Sequence, residues 1–345
     1  MKLERPFVAT GIGSLPHKDP DKAAGWIVEN IVDIPFWPQL PKRSYLENMY
    51  VQFAENLPGV VVDEQAKRIW VDTSADLTES IQACYEHYLA EDLEYFKIGP
   101  ERAPGFYSFC DILKNSSAPK PQFLKGHVTG PISFGLTVTD QNKRSILYDT
   151  ELAEVMEKTL QMKARWQIKY LKEVSGNVII FIDEPYLVSI GSSVVNINSE
   201  DVKKRLSEFT QVIKNDGALT GLHCCGNTDW GLVCELGIDV VNFDAYNYAT
   251  SISLYPKQVK RFLEGGGSIA WGIVPTSKDV EKEDGPGLKV RLESAIEGLV
   301  AKGIDKELIM GSSIVTPSCG CGTLSEDLAE RILLLTLKVS QRMRG

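Results

Sequence analysis

His223, Cys224 and Cys225 stand in consecutive positions of a chain that has only four histidines and seven cysteines. Alternate side chains of an extended segment share a face, so this spacing puts the His223 imidazole and the Cys225 thiol on one side and turns Cys224 away. Zinc favours such ligands, and Cys319 in "TPSCGCG" (316–322) offers a third. Three protein ligands with an exchangeable fourth position describe a catalytic zinc; a structural site closes the fourth with another Cys or His. Asp244, in "DAYNY" (244–248), is a further oxygen ligand of weaker kind. Two plainer readings compete. The histidine can simply be packed beside buried cysteines, or Cys224 and Cys225 can form a vicinal redox pair, which leaves His223 and Cys319 unexplained. Cys84, Cys110 and Cys234 read as packing residues.

Residues so far apart in sequence need a scaffold that gathers strand ends. Short apolar runs alternate with longer amphipathic ones, and strands are expected at 7–13, within 59–72, where "VVVDEQAKRIWVD" can hold a hairpin, and at 123–129, 178–183, 219–224, 240–245, 268–274 and 308–315. Helical periodicity fills most gaps, as at 150–174 and 324–343. Eight strands mostly followed by helices predict a (β/α)₈ TIM barrel, with a doubly wound open sheet as the alternative. No linker or repeat divides the chain, which is expected to be one catalytic domain over 1–345 with an irregular excursion at about 36–120. Barrels carry their chemistry at the C-terminal strand ends. The segments found there are "GIGSLPH" (11–17), "GHVTGP" (126–131), "DEPY" (183–186), "HCCGN" (223–227), "DAYNY" and "TPSCGCG". Each alone is explicable as a turn or an N-cap. Polar and sulfur groups at five such ends together point to a site.

The formal charge of −9, with no basic cluster, argues against a nucleic-acid surface. No run has the length of a membrane span, and "MKLERPFVATGIGS" lacks the apolar core of a signal peptide, so a cytoplasmic protein without a membrane partner is expected. An odd cysteine count with adjacent thiols is unlike a secreted disulfide framework.

Taken in order, these motifs resemble the catalytic half of cobalamin-independent methionine synthase, in the superfamily that also holds uroporphyrinogen decarboxylase and the methylcorrinoid:coenzyme M methyltransferases. "GIGSLP" is similar to that family's Gly-Ser-x-Pro turn, "KGHVTGPIS" to its K-G-x-x-T-G-P-V-T, "FIDEP" to its I-D-E-P and "TPSCG" to its N-P-D-C-G. "HCCGNT" resembles the H-x-C-G-N-T of the coenzyme M enzymes. The resemblance implies a thiol substrate, homocysteine, bound to Zn²⁺ held by His223, Cys225 and Cys319, with Asp244 where methionine synthases place a Glu ligand. It further implies that Ile12, Gly13 and Ser14 offer backbone groups to the amino-acid carboxylate and that Asp183 holds the amino group. Glu47 is the candidate for a second acid on the amine.

Departures from the family bear on the methyl donor. Ile273, in "IVP", stands where folate-dependent members carry the histidine that protonates the departing folate nitrogen. Thr137 stands where a Trp packs on the pterin, and Ser189 where an acidic residue contacts it. A methylcorrinoid needs neither acid nor clamp, because Co(I) leaves as a stable anion. The expected activity is therefore methyl transfer from methylcobalamin or a corrinoid protein to homocysteine, giving methionine. The alternatives are another acceptor thiol such as coenzyme M, folate as donor with His127 as the next acid to consider, a uroporphyrinogen decarboxylase-like reaction, and a non-catalytic zinc-binding barrel.

Overall fold

The computed structural model describes residues 3–191 and 195–345. The strands among these residues are β1 (Val8–Ala9), β2 (Val60–Asp63), β3 (Arg68–Val71), β4 (Leu124–Thr129), β5 (Thr139–Asp140), β6 (Val178–Asp183), β7 (Leu219–Cys224), β8 (Val240–Phe243), β9 (Ser268–Val274) and β10 (Ser313–Pro317). Seven of them form one parallel sheet in the order β1-β10-β9-β8-β7-β6-β4. Parallel strands covered by helices are buried on both faces and need continuous apolar runs, and Val178–Ile182 and Ser268–Val274 are buried throughout. The long helix Thr150–Lys172, started by Asp149 accepting from the Glu151 and Leu152 amides, crosses from β4 to β6. Glu326–Arg344, at the other expected long helix, packs on β10 and β1.

The expected second barrel strand needs correction. Residues 59–72 form the antiparallel hairpin β2–β3, which joins β5 in a separate three-stranded sheet. The polar stretch Asp63–Arg68 is exposed, so this segment could not have been buried on both faces. The seat between β1 and β4 is taken instead by residues 34–39. Phe36 bridges Lys125 and Gln39 bridges Ser14, both in parallel sense. The Lys125 amide donates to Pro35 O at 2.9 Å, Gln39 N to Gly13 O at 3.1 Å, and Leu15 N to Gln39 O at 2.8 Å. Pro35 and Pro38 have no amide hydrogen to donate, so isolated bridges replace a ladder and the hydrogen-bonded sheet has seven strands.

Alternation along the strands sorts the inner face into layers. At the bottom Val8, Ile34, Phe123, Ile179, Phe181, Val240, Ala270 and Ile314 form their own apolar cluster. Gly221 makes room for it, since a Cβ there would lie 2.4 Å from the Phe181 ring. The same faces continue toward the C-terminal ends with Lys125, His127, Asp183, His223, Asn242 and Thr316, all polar.

Candidate metal centre

His223 is the penultimate residue of β7, Cys225 follows it by two, and Cys319 lies just beyond β10. One ligand atom from each of the three lies within 4.8 Å of the others. Cys224 is fully buried on the opposite face, in the core between sheet and helices, as strand alternation requires. Asn242 aims the imidazole. Its Nδ2 donates to Ala270 O (2.9 Å) and Thr316 Oγ1 (2.8 Å), so its Oδ1 must accept from His223 Nδ1, 2.6 Å away. That tautomer leaves a lone pair on His223 Nε2, which is buried and has no hydrogen-bond partner. The hydrogen bond from Cys319 and the neighbouring His223 imidazole pull the Cys225 thiol down to about 4, while the Cys319 thiol is pushed well up by the same bond to Cys225 and by burial. A thiolate beside a thiol and an unpartnered imidazole nitrogen is a donor set that fits a zinc ion. Because an outer hydrogen bond of this type typically contributes about 10–100-fold to metal affinity, Asn242→Leu is expected to weaken zinc binding by about that factor in a chelator competition, with the fold intact. Undiminished affinity would show that Asn242 does not orient His223.

Asp244 stands outside this cluster. Its carboxylate caps the turn of helix Ala245–Tyr248, accepting from the Asn247 amide (2.9 Å) and Asn247 Nδ2 (2.7 Å). An Asp at a strand-to-helix turn has a backbone amide as a near partner, and Asp244 is not one of the three residues whose ligand atoms converge. Glu47 is likewise engaged elsewhere. It is buried, accepts from the Leu40 amide at 3.0 Å and pairs with Arg43, and burial still raises its carboxyl to about 7. Its bonds hold its own segment together rather than reaching across the lumen.

Asp183 ends β6, level with Thr129 on one neighbour and His223 on the other. Its Oδ1 is buried without a partner, and burial raises its carboxyl to about 6 against the pull of His223 and Lys125. Such a desolvated carboxylate is completed by a cation. Lys125 Nζ, wholly buried, donates to Ile12 O and lies 4.4 Å from the Phe181 ring centroid. It anchors the Ile12–Ser14 turn from below. Gly13 has φ +154°, and a Cβ there would lie 2.9 Å from the His127 ring, so only glycine fits. Ser14 ties the turn to the Cys319 loop: its carbonyl accepts from the Cys321 amide (2.9 Å) and its hydroxyl from the Gly322 amide (3.2 Å). Ile12, Gly13 and Ser14 therefore share one corner with Cys319, although the Ser14–Gly322 bond spans 308 residues.

Sequence reasoning passed over Lys125, Asn242, Glu184 and Tyr50. Glu184 accepts from the Ile132 amide (2.9 Å), the Ser133 amide (2.8 Å) and the Ser133 hydroxyl (2.6 Å), clamping the turn after β4 to the end of β6. A Cβ on Gly130 would lie 2.1 Å from Glu184 Oε1, so the glycine of T-G-P and the glutamate of D-E-P form one device. That pairing of motifs was the available signal. Tyr50, its hydroxyl pushed up to about 12 by burial, senses the charges of Glu184 and Cys225; no sequence pattern marked it. Ile273 is fully buried on β9, Thr137 ends helix Pro131–Thr137, and Ser189 ends the turn Pro185–Ser189.

No protein-family model matches this chain, and no curated protein sequence does. Its fold, a curled parallel α/β sheet covered by helices, is one that a solved structure shares. A B12-independent methionine synthase from Shewanella sp. W3-18-1, in complex with selenomethionine, aligns over 98% of this chain and 98% of its own, with 14% identity and a TM-score of 0.59. That likeness establishes a common fold. A dihydropteroate synthase from Thermus thermophilus in complex with 6HMPPP aligns over 77% of this chain and 89% of its own, with 9% identity and a TM-score of 0.25, too low to carry an argument. Among the described residues, no helix is long and apolar enough to cross a membrane.

Proposed function

We propose that this chain is a zinc-dependent methyltransferase that moves a methyl group from a methylcorrinoid, protein-bound, to the thiol of homocysteine, giving methionine. The observation that carries the reading is the convergence of His223, Cys225 and Cys319 within 4.8 Å, with an unpartnered imidazole nitrogen among them. The fold shared with a methionine synthase supports it. In this reading residues 34–39 serve as the eighth stave of a closed barrel, and residues 1–345 act as one catalytic unit.

Zinc held by these three residues would deprotonate a substrate thiol and fix its sulfur in place. The chain's own residues supply the rest. Asp183 takes the substrate ammonium, and the backbone of Ile12, Gly13 and Ser14 faces its carboxylate. The methyl carbon bonds to sulfur as the carbon–cobalt bond breaks, the electron pair remaining on cobalt, so no proton donor is required. Ile273, apolar and buried, is compatible with that donor. Folate as donor is the second reading, favoured by the B12-independent character of the enzyme that shares the fold.

Purified protein loaded with zinc is expected to form methionine from methylcobalamin and homocysteine; one zinc per chain without turnover on any methyl donor would leave a non-catalytic zinc-binding barrel. Asp183→Asn is expected to weaken homocysteine binding with zinc content unchanged, by the roughly 2–5 kcal/mol typical of breaking a desolvated charge pair. Equal affinity in calorimetry would remove Asp183 from the substrate site and favour an acceptor without an amino group, such as coenzyme M.

A further inference from the structure

Helix Glu326–Arg344 packs its inner side on β10 and β1 and turns Asp327, Arg331, Leu334, Lys338 and Gln341 to solvent. Steps of four and three residues hold such a stripe straight along a helix, which is the spacing that pairs helices face to face. From Asp327 to Gln341 it runs about 21 Å. Leu334, 41% exposed, stands at its midpoint. A groove of about 880 Å³ follows the same helix, with the start of helix Gly285–Val300 as its other wall.

The charged ends of the stripe find no counterpart within the chain. Among the described residues, none of Asp327, Lys338 and Arg342 has an ion-pair partner within 4.0 Å. The acids on the facing wall are engaged elsewhere: Glu283 accepts from the Tyr246 hydroxyl at 2.7 Å, and Asp284 caps the Gly287 amide at 2.8 Å. The face thus carries an unpaired acid at one end, two unpaired bases at the other and an apolar residue between them. A complementary surface must carry the same three features in reverse order. The stripe itself, turned end for end, has that order, so a second copy related by a two-fold axis fits it, as closed dimers with a self-complementary patch require. Setting Asp327 against Lys338 of the other copy also sets Leu334 on the methylenes of Arg331, and symmetry makes each contact twice. A parallel copy would instead place like charge on like.

We propose that two copies of this chain associate through this face, with their helices Glu326–Arg344 antiparallel across a two-fold axis. The contact uses the outer helical layer and is independent of the methyl-transfer reading.

Sedimentation equilibrium on the full, zinc-loaded chain tests it. Wild-type protein is expected to be a dimer at micromolar concentration. Lys338→Glu, which sets an acid against Asp327, and Leu334→Glu are each expected to weaken association by about 10–100-fold, while zinc content and far-ultraviolet circular dichroism stay unchanged. Asp327→Lys combined with Lys338→Asp restores opposite charges with reversed polarity and is expected to dimerise as wild type does. If Leu334→Glu fails to fold, the charge variants decide. A wild-type protein still monomeric at about 100 μM, a dimer unmoved by Lys338→Glu, or a charge exchange that fails to restore association would each overturn the proposal.

Discussion

Cys319→Ser is expected to lose most of its zinc and with it essentially all methyl transfer. The hydroxyl of serine stays protonated where a thiolate would bind, so the variant offers two protein ligands in place of three. The loss in metal affinity should exceed the roughly 10–100-fold that removing an outer hydrogen bond costs, and elemental analysis after dialysis against a chelator measures it directly. Cys321 is the internal control. It lies two residues away, is buried in the apolar core, and is not among the three residues whose ligand atoms converge. Cys321→Ala is expected to retain one zinc per chain. Full zinc in Cys319→Ser would break the site, since His223 and Cys225 alone do not make the donor set argued here.

The second large effect concerns the donor. Expelling the N5 anion of a folate without protonation is prohibitive, and a positioned acid typically contributes about 10²–10⁴-fold. By the resemblance, Ile273, fully buried and apolar, falls where that acid is expected, and Thr137 and Ser189 fall where pterin contacts are expected. Methionine is therefore expected from methylcobalamin and homocysteine, with a rate from methyltetrahydrofolate, as mono- or polyglutamate, lower by about the same 10²–10⁴-fold. A direct rate comparison on one preparation decides it. An efficient folate reaction would refute the corrinoid donor while leaving the zinc site standing.

The cluster of His223, Cys225 and Cys319 is legible in the amino-acid sequence because its signal is local. Strand alternation alone separates Cys225 from Cys224, and zinc's preference for sulfur and imidazole singles out the same residues. The parallel strands β4 and β6 to β10 are legible for a similar reason: burial on both faces demands apolar runs that composition displays directly. Asp244 and Glu47 are less legible because a carboxylate has several equally good short-range partners. Which of them it takes, the Asn247 amide for one and Arg43 with the Leu40 amide for the other, is settled by backbone geometry that residue type does not encode. The place of the second strand is not legible because "VVVDEQAKRIWVD" satisfies strand propensity equally well as a barrel strand and as the separate hairpin it forms.

Residue types and their order thus set the inventory and its local facing: which side chains can bind metal, which face of each strand they take, and which runs must be buried. Which members of that inventory meet is decided by the packing of the whole chain. Lys125 reaches the Ile12 carbonyl, Ser14 is bound to the Cys321–Gly322 amides, and Pro35 and Pro38 reduce the eighth seat of the sheet to isolated bridges. These are contacts between segments up to 308 residues apart. Propensity and periodicity act over a few residues, whereas the curl and register of the sheet, set by all its strands packing at once, choose the distant partners.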